Sequence, residues 1–190
     1  MRDLTLPIAL PGGEVIGLRG RVATSGDELL QVEFSGLQPR HRIDAWLRLL
    51  ALAVVEDAQP RAVVIGKSRS VALSAPPRAQ AAELLGRYLA IYRLGLSRAL
   101  PAPPRTCERL AKLRRRGVTT QDVDELAGAV KQVWEWDNDP HWSAFFGFPE
   151  LLRIPAASVE LPGPATGEAG LLPALAQLIW GPLLEAEVAR

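Results

Sequence analysis

The densest charge in the sequence is the run Lys112, Arg114, Arg115 and Arg116, with Arg40 and Arg42 forming a smaller pair around His41. Side chains of this type neutralise phosphates, and contacts of that kind are salt-sensitive and nearly blind to base sequence. The same run also suits the solvated last turn of a helix, where cations complement the backbone dipole. A second cluster is aromatic: Trp134, Trp136, Trp142, Phe145 and Phe146 fall within thirteen residues. Such rings stack on bases or anchor a partner protein when exposed, and close a small core when buried. The expectation is core for most of them, with partner contact for Trp136, Trp142, Phe145 and Phe146 wherever they emerge. Cys107 is the only cysteine, so neither an internal disulfide nor a thiolate zinc cage is available. It has no histidine nearby in sequence to activate it and reads as a packing residue. His141, beside Trp142, reads as a loop histidine. No phosphate-cradling glycine loop and no nucleophile elbow is present; Gly12, Gly13, Gly17 and Gly20 do not lead from a strand into a helix.

The elements that must carry these groups follow from periodicity. Ile16, Leu18, Gly20 and Val22 alternate with polar or small residues, as do Leu30, Val32 and Phe34. With Ser25-Gly26-Asp27 as the turn, the two runs predict a hairpin. A shorter strand is predicted from Leu4 to Leu10, ended by Pro11-Gly12-Gly13. Ile43, Trp46, Leu47, Leu50 and Val54 recur at helical spacing and predict one buried stripe. Ala62 to Ile65 and Val71 to Ser74 read as short strands around a turn. Beyond Pro76-Pro77 the chain reads as helical: a helix with Leu85, Leu89, Tyr92 and Leu96 on one face, then a basic helix from Thr106 to Arg116 stopped by Gly117. A helix capped by Thr120 follows, with Asp122 and Asp124 in its first turn. Residues 151–170 read as a loop. A last helix over Leu172, Leu175, Ile179 and Leu183 is expected to kink or break at Gly181-Pro182.

This order predicts an α/β or α+β fold, with a mixed sheet flanked by helices over residues 1–100 and a mostly helical extension packed on it over 101–190. The chain has 190 residues, 48% of them hydrophobic and 23% charged, which fits a folded domain rather than a disordered one. Net charge is +1, so any contact with nucleic acid must come from local patches. No apolar run approaches the roughly 20 residues of a membrane span, and no secretory signal opens the chain, so a cytoplasmic location is expected.

Gly20-Arg21-Val22-Ala23, the strand from Glu28 to Gly36 and the helix opening Arg42-Ile43-Asp44-Ala45-Trp46-Leu47 together resemble a nuclease core of the PD-(D/E)xK type. In active members a strand ends in an aspartate, and the next carries a carboxylate and a lysine two residues apart on one face. The carboxylates hold divalent ions that activate water. On this sequence those positions become Ala23, Glu33 and Ser35, so the resemblance implies the fold without the catalytic set.

Several ordered blocks resemble one such family more specifically. They are residues 42–52 with Trp46, residues 88–101 running from Tyr88 through Tyr92-Arg93-Leu94-Gly95-Leu96 to Pro101, residues 129–134 ending in Trp134, Asp139-Pro140-His141-Trp142, and Trp180-Gly181-Pro182. They are similar to the C-terminal domain of RecC, the gamma subunit of exodeoxyribonuclease V, and cover about residues 14–185. The resemblance implies a restriction-endonuclease-like core that is not an enzyme. It implies a place in a helicase–nuclease for double-strand break repair by homologous recombination. There it would scaffold RecB-like and RecD-like motor subunits and help guide or split DNA. It further implies contact with double-stranded DNA ends and split single strands, no membrane, and no cofactor in the domain, since Mg²⁺ and ATP belong to partner subunits. The helicase-like domains of a full subunit are missing from this sequence, which is expected to be an excised or truncated portion. Arg40, Arg42, Lys112, Arg114, Arg115 and Arg116 are the candidates for a DNA-facing surface. Two other readings are an active metal-dependent nuclease with rearranged residues and a protein-interaction domain that never meets DNA. Lys67, the one lysine before the basic run, is too far along the chain to replace the missing one.

Overall fold

The computed structural model describes residues 1–26, 28–55, 59–118, 121–164 and 166–188. Two compact units divide the chain: Met1–Tyr92 joined by the C-terminal stretch from Glu185, and Arg93–Leu184.

In the first unit, β1 (Arg2–Ala9) and β2 (Val15–Val22) form an antiparallel pair with Leu6 opposite Leu18. Leu4, Leu6 and Ile8 alternate with exposed residues and are buried, the pattern of a strand with one covered face. The chain reverses between them through Gly13, whose φ of 83° lies in the left-handed region that favours glycine. β3 (Glu28–Val32), α1 (Pro39–Val55) and β4 (Arg61–Ile65) make a parallel strand–helix–strand crossover. β5 (Ser70–Ser74) returns antiparallel to β4, and β6 (Glu187–Val188) adds to β5, giving a mixed sheet in the order β3-β4-β5-β6.

The predicted hairpin between residues 16–22 and 30–34 does not form. The glycine turn at Gly12-Gly13 hands β2 to β1 instead, and β3 joins the other sheet. Its facing is also reversed. Leu29 is the buried residue, while Leu30, Val32 and Phe34 stand in solvent. A one-residue offset in register moves a whole side-chain row to the opposite face.

α1 packs against β1, β3 and β4. Its burial exceeds the predicted stripe: Ala45, Leu49, Leu52 and Ala53 are covered as well as Trp46, Leu50 and Val54, so the helix lies inside the unit. The Trp46 indole donates to the Tyr88 hydroxyl at 3.0 Å, linking α1 to α2 (Arg78–Ser97). Burial there pushes the Tyr88 phenol above its ordinary range. Gly86 allows α2 to meet β1, since a Cβ would collide with the Ala9 carbonyl.

In the second unit, α3 (Pro104–Arg115) packs on α4 (Val123–Asp137). Gly117, with φ 83°, ends α3 as predicted. The predicted cap Thr120 lies outside the described residues. Asp122 caps α4, accepting from the amides of Asp124 at 2.8 Å and Glu125 at 3.0 Å. His141 lies within the short helix α5 (Pro140–Phe145) rather than in a loop. The predicted loop over 151–170 contains 3-10 turns at Glu150–Arg153 and Ala156–Ser158, with Leu151 and Leu152 buried. α6 (Leu171–Glu185) runs unbroken through Pro182. Leu172, Leu175, Leu178, Trp180 and Leu183 are all buried there, and that packing overrides the local preference to stop.

Candidate partner and nucleic-acid interfaces

The three positions of the nuclease pattern do not share a pair of neighbouring strands. Exposed Ala23 follows β2 in one sheet, whereas Glu33 and exposed Ser35 follow β3 in the other. Glu33 is half-buried. Its Oε1 accepts from the Gln31 amide at 2.8 Å, and its Oε2 lies 3.6 Å from His41 Nε2. The Gln38 backbone amide points at His41 Nδ1 at 3.2 Å, and Arg40 Nε lies 3.2 Å from Nε2. The result is a carboxylate held by the Gln31 amide and lying beside the His41 imidazole where β3 passes into α1. Among the described residues, no three or more histidine, cysteine, aspartate or glutamate side chains gather as a divalent ion would require.

The basic candidates divide by what holds them. Arg42 is only 1% exposed and is ion-paired to Glu187 of β6, so it does not belong to the outer surface where its charge had placed it. Burying a guanidinium requires such a partner. Lys112 pairs with Glu108 one turn earlier on α3. Arg114 meets Glu168 at 2.5 Å and donates to the Val118 carbonyl at 3.2 Å. Arg115 donates to the Leu184 carbonyl. Arg116 is exposed and makes no side-chain contact among the described residues, and Arg40 is exposed beside His41. The four neighbouring cations of α3 therefore look alike in sequence, yet three of them have partners in their own unit.

The aromatic cluster separates as well. Trp134 is buried and stacks on Phe148 with centroids 5.6 Å apart. Trp142 and Phe146 are half-buried and in contact, 6.0 Å between ring centres. Trp136 is 61% exposed with the Arg105 guanidinium 5.9 Å from its ring centre, and Phe145 is 71% exposed. Cys107 is fully enclosed, and burial pushes its thiol above the ordinary range, in keeping with a packing role.

Sequence reasoning missed one surface altogether. Leu30 is 51% exposed and Val32 53%, both on the face of β3 opposite buried Leu29, with Ile65 opposite Val32 on β4 and Phe34, 97% exposed, in the bend that follows. Their alternation was legible; which face it would occupy was not. Gln31 and Glu33, two apart in sequence, share the other face, where the Gln31 amide donates to the Glu33 carboxylate.

A family model described as the RecC C-terminal domain matches residues 2–115, from β1 through α3. The chain is 31% identical over 173 residues to the RecBCD enzyme subunit RecC of Mycobacterium tuberculosis, covering 85% of this chain and 15% of that protein. It is 30% identical over 170 residues to the RecBCD enzyme subunit RecC of Mycolicibacterium smegmatis, with the same two shares. The chain thus spans about 15% of the length of the curated relatives it matches.

Proposed function

Because the chain belongs to the RecC C-terminal domain family, we propose that it is a non-catalytic scaffold domain of a RecC-like subunit. That subunit works in a RecBCD-type helicase–nuclease for double-strand break repair by homologous recombination. In this reading its partners are RecB-like and RecD-like subunits, its setting is the cytoplasm, and the Mg²⁺ and ATP of the reaction are bound by those partners. The observation that carries the reading is a contrast of surfaces. Arg42, Lys112, Arg114 and Arg115 are engaged within their own units, while Leu30, Val32, Phe34, Trp136 and Phe145 stand in solvent. Exposed apolar groups of this size mark protein contact. DNA ends and split strands would be guided by the assembled complex, with Arg40 and Arg116, of the six candidate cations, best placed to assist.

The test is co-purification of the chain with its RecB-like and RecD-like subunits, together with a cleavage assay on forked DNA. A stable complex, with no cleavage by the chain alone in Mg²⁺ or Mn²⁺, is the expected result. Cleavage by the chain alone that disappears in Glu33→Ala would replace this reading with that of an active nuclease.

A further inference from the structure

We infer that the open edge of β3 is a strand-addition site. It takes an extended segment of a partner subunit, apolar at alternate positions and acidic where it passes Lys67. The inference rests on the scaffold reading and names the surface through which that scaffold grips.

The backbone makes the first argument. β3 is the terminal strand of its sheet. The Glu33 amide donates to the Ile65 carbonyl at 2.7 Å, so the alternating backbone groups of Leu30 and Val32 point away from β4. A row of outward amides and carbonyls is a template for another strand. Proteins guard such edges with lysine, proline, bulges or inward charges on the free side. From Leu29 to Phe34 there is no lysine, proline or glycine, and the one acid, Glu33, is held by Gln31 and faces His41. Glu28 already exchanges backbone hydrogen bonds with Ser25, so the open part of the edge is Leu30 and Val32, unguarded in a way that a covered edge tolerates.

Side chains make the second. An added strand would lay alternate residues over Leu30, Val32 and Phe34 and extend the apolar face that Ile65 continues. Cross-strand pairs of this kind contribute individually and fix register.

Charge and area choose the occupant. The Lys67 amide donates to the Ser35 carbonyl at 3.0 Å, which seats exposed Lys67 at the Phe34 end of the strand, while the Arg69 guanidinium in the same turn donates to the Leu37 carbonyl at 3.2 Å. Exposed Glu28 lies at the other end. An incoming segment is therefore favoured with its acid at the Phe34 end. A second copy could meet that charge pattern, but pairing through a five-residue strand falls well short of the roughly 1,200 Å² of a stable interface. A strand from a subunit anchored elsewhere acts at high effective concentration and needs no such area. DNA is disfavoured because the row from Leu30 to Phe34 contains no cation to meet a phosphate.

Hydrogen–deuterium exchange, read residue by residue on the chain alone and in its complex with RecB-like and RecD-like subunits, tests this. In the complex the Leu30 and Val32 amides are expected to slow by about tenfold or more. The Gln31 and Glu33 amides, which already face β4, should change little. Val32→Pro removes an outward amide at an edge where proline is tolerated, and should lower recovery of the complex. Val32→Lys, which keeps the backbone, should do the same if the proline variant does not fold. A complex that forms with all four amides unchanged, or all slowed alike, overturns strand addition and leaves the scaffold reading standing. Failure of any complex to form removes both. Protection that rises with concentration of the chain alone would assign the edge to a second copy. Protection by forked DNA alone would assign it to nucleic acid, and either result overturns the inference.

Discussion

Helix α3 and strand β3 carry the most conspicuous charged and apolar runs of their units, and the structure treats them in opposite ways. α3 and its C-cap gather the run Lys112, Arg114, Arg115 and Arg116, yet the first three of that run are tied to Glu108, Glu168 and the Leu184 carbonyl. β3 and the residues after it hold Leu30, Val32 and Phe34, which resemble a core row and are left in solvent. A cluster of charge is thus no measure of a binding surface until its counter-ions are counted. An apolar alternation is no measure of a core until its facing is known. The contrast can be attacked from both sides.

The largest effect is expected where a cation is most deeply enclosed. Arg42→Ala empties a buried site and leaves Glu187 without its partner. It should cost about 3 kcal/mol in urea unfolding, with the slope of the transition unchanged. A loss below about 0.5 kcal/mol, within the range of ordinary surface changes, would return Arg42 to the DNA-facing candidates. Next in size is Arg114→Ala, which strands the Glu168 side chain at 6% exposure. Arg114 itself is partly exposed, so the expected cost is lower, about 1–2 kcal/mol. Adding Glu168→Gln should recover part of it, and the double-mutant cycle measures how much of the loss is pairwise.

Both predictions concern contacts that sequence could not show. Arg42 meets Glu187 across 145 residues and Arg114 meets Glu168 across 54. Nothing in local spacing pairs such residues, whereas Lys112 and Glu108, four apart on one helix, were within its reach. Helices α1, α2 and α4 were legible because their apolar residues recur at helical spacing, and α3 because a basic run ends at Gly117. β4 and β5 were legible because a short turn joins them. The partner of β2 was misjudged because two glycine turns flank it, at Gly13 and at Gly26, and local spacing does not say which one carries the pairing into a ladder. β6 returns to β5 from the far end of the chain, a nonlocal pairing with too few residues to leave a pattern. Of the site, the resemblance to the nuclease pattern set Ala23 and Ser35 where active members carry an aspartate and a lysine. The engagement of Glu33 with Gln31 and His41 depends on how β3 meets α1.

On the apolar side, Val32→Lys should leave the stability of the chain within about 0.5 kcal/mol, because the residue is half in solvent already. Recovery of the complex with partner subunits should fall sharply. A large loss of stability in the chain alone would mean that the β3 face is part of its own core, and the contrast with α3 would collapse. Arg116→Glu is expected to be equally mild for stability, since that side chain has no partner among the described residues. If it alone, and not Arg114→Ala, weakens binding of forked DNA by the complex, the free cation of α3 is the one that meets phosphate.

The smallest expected effect tests α3 from its other end. Asp137 accepts from the Thr106 amide at 2.7 Å and from the Thr106 hydroxyl at 3.0 Å, closing the start of the helix. Burial raises the pKa of its carboxyl above the ordinary 3.8, and the Thr106 hydrogen bonds and Arg105 only partly offset this. Between 3.8 and the raised value the folded chain binds more protons at this site than the unfolded chain does. The contribution of Asp137 to stability is therefore most favourable below the unfolded pKa and declines as pH rises through the folded one. Unfolding of the wild type and of Asp137→Asn, compared from about pH 4 to pH 6, should show the wild type losing ground to the variant as pH rises. Asparagine keeps a carbonyl for Thr106 and does not titrate, so any change in capping strength is a constant offset and the slope is the readout. The opposite slope would mean that the hydrogen bonds from Thr106 outweigh burial. The start of α3 would then be held by a charge, and the helix would depend on paired ions at both ends rather than only where its cations cluster.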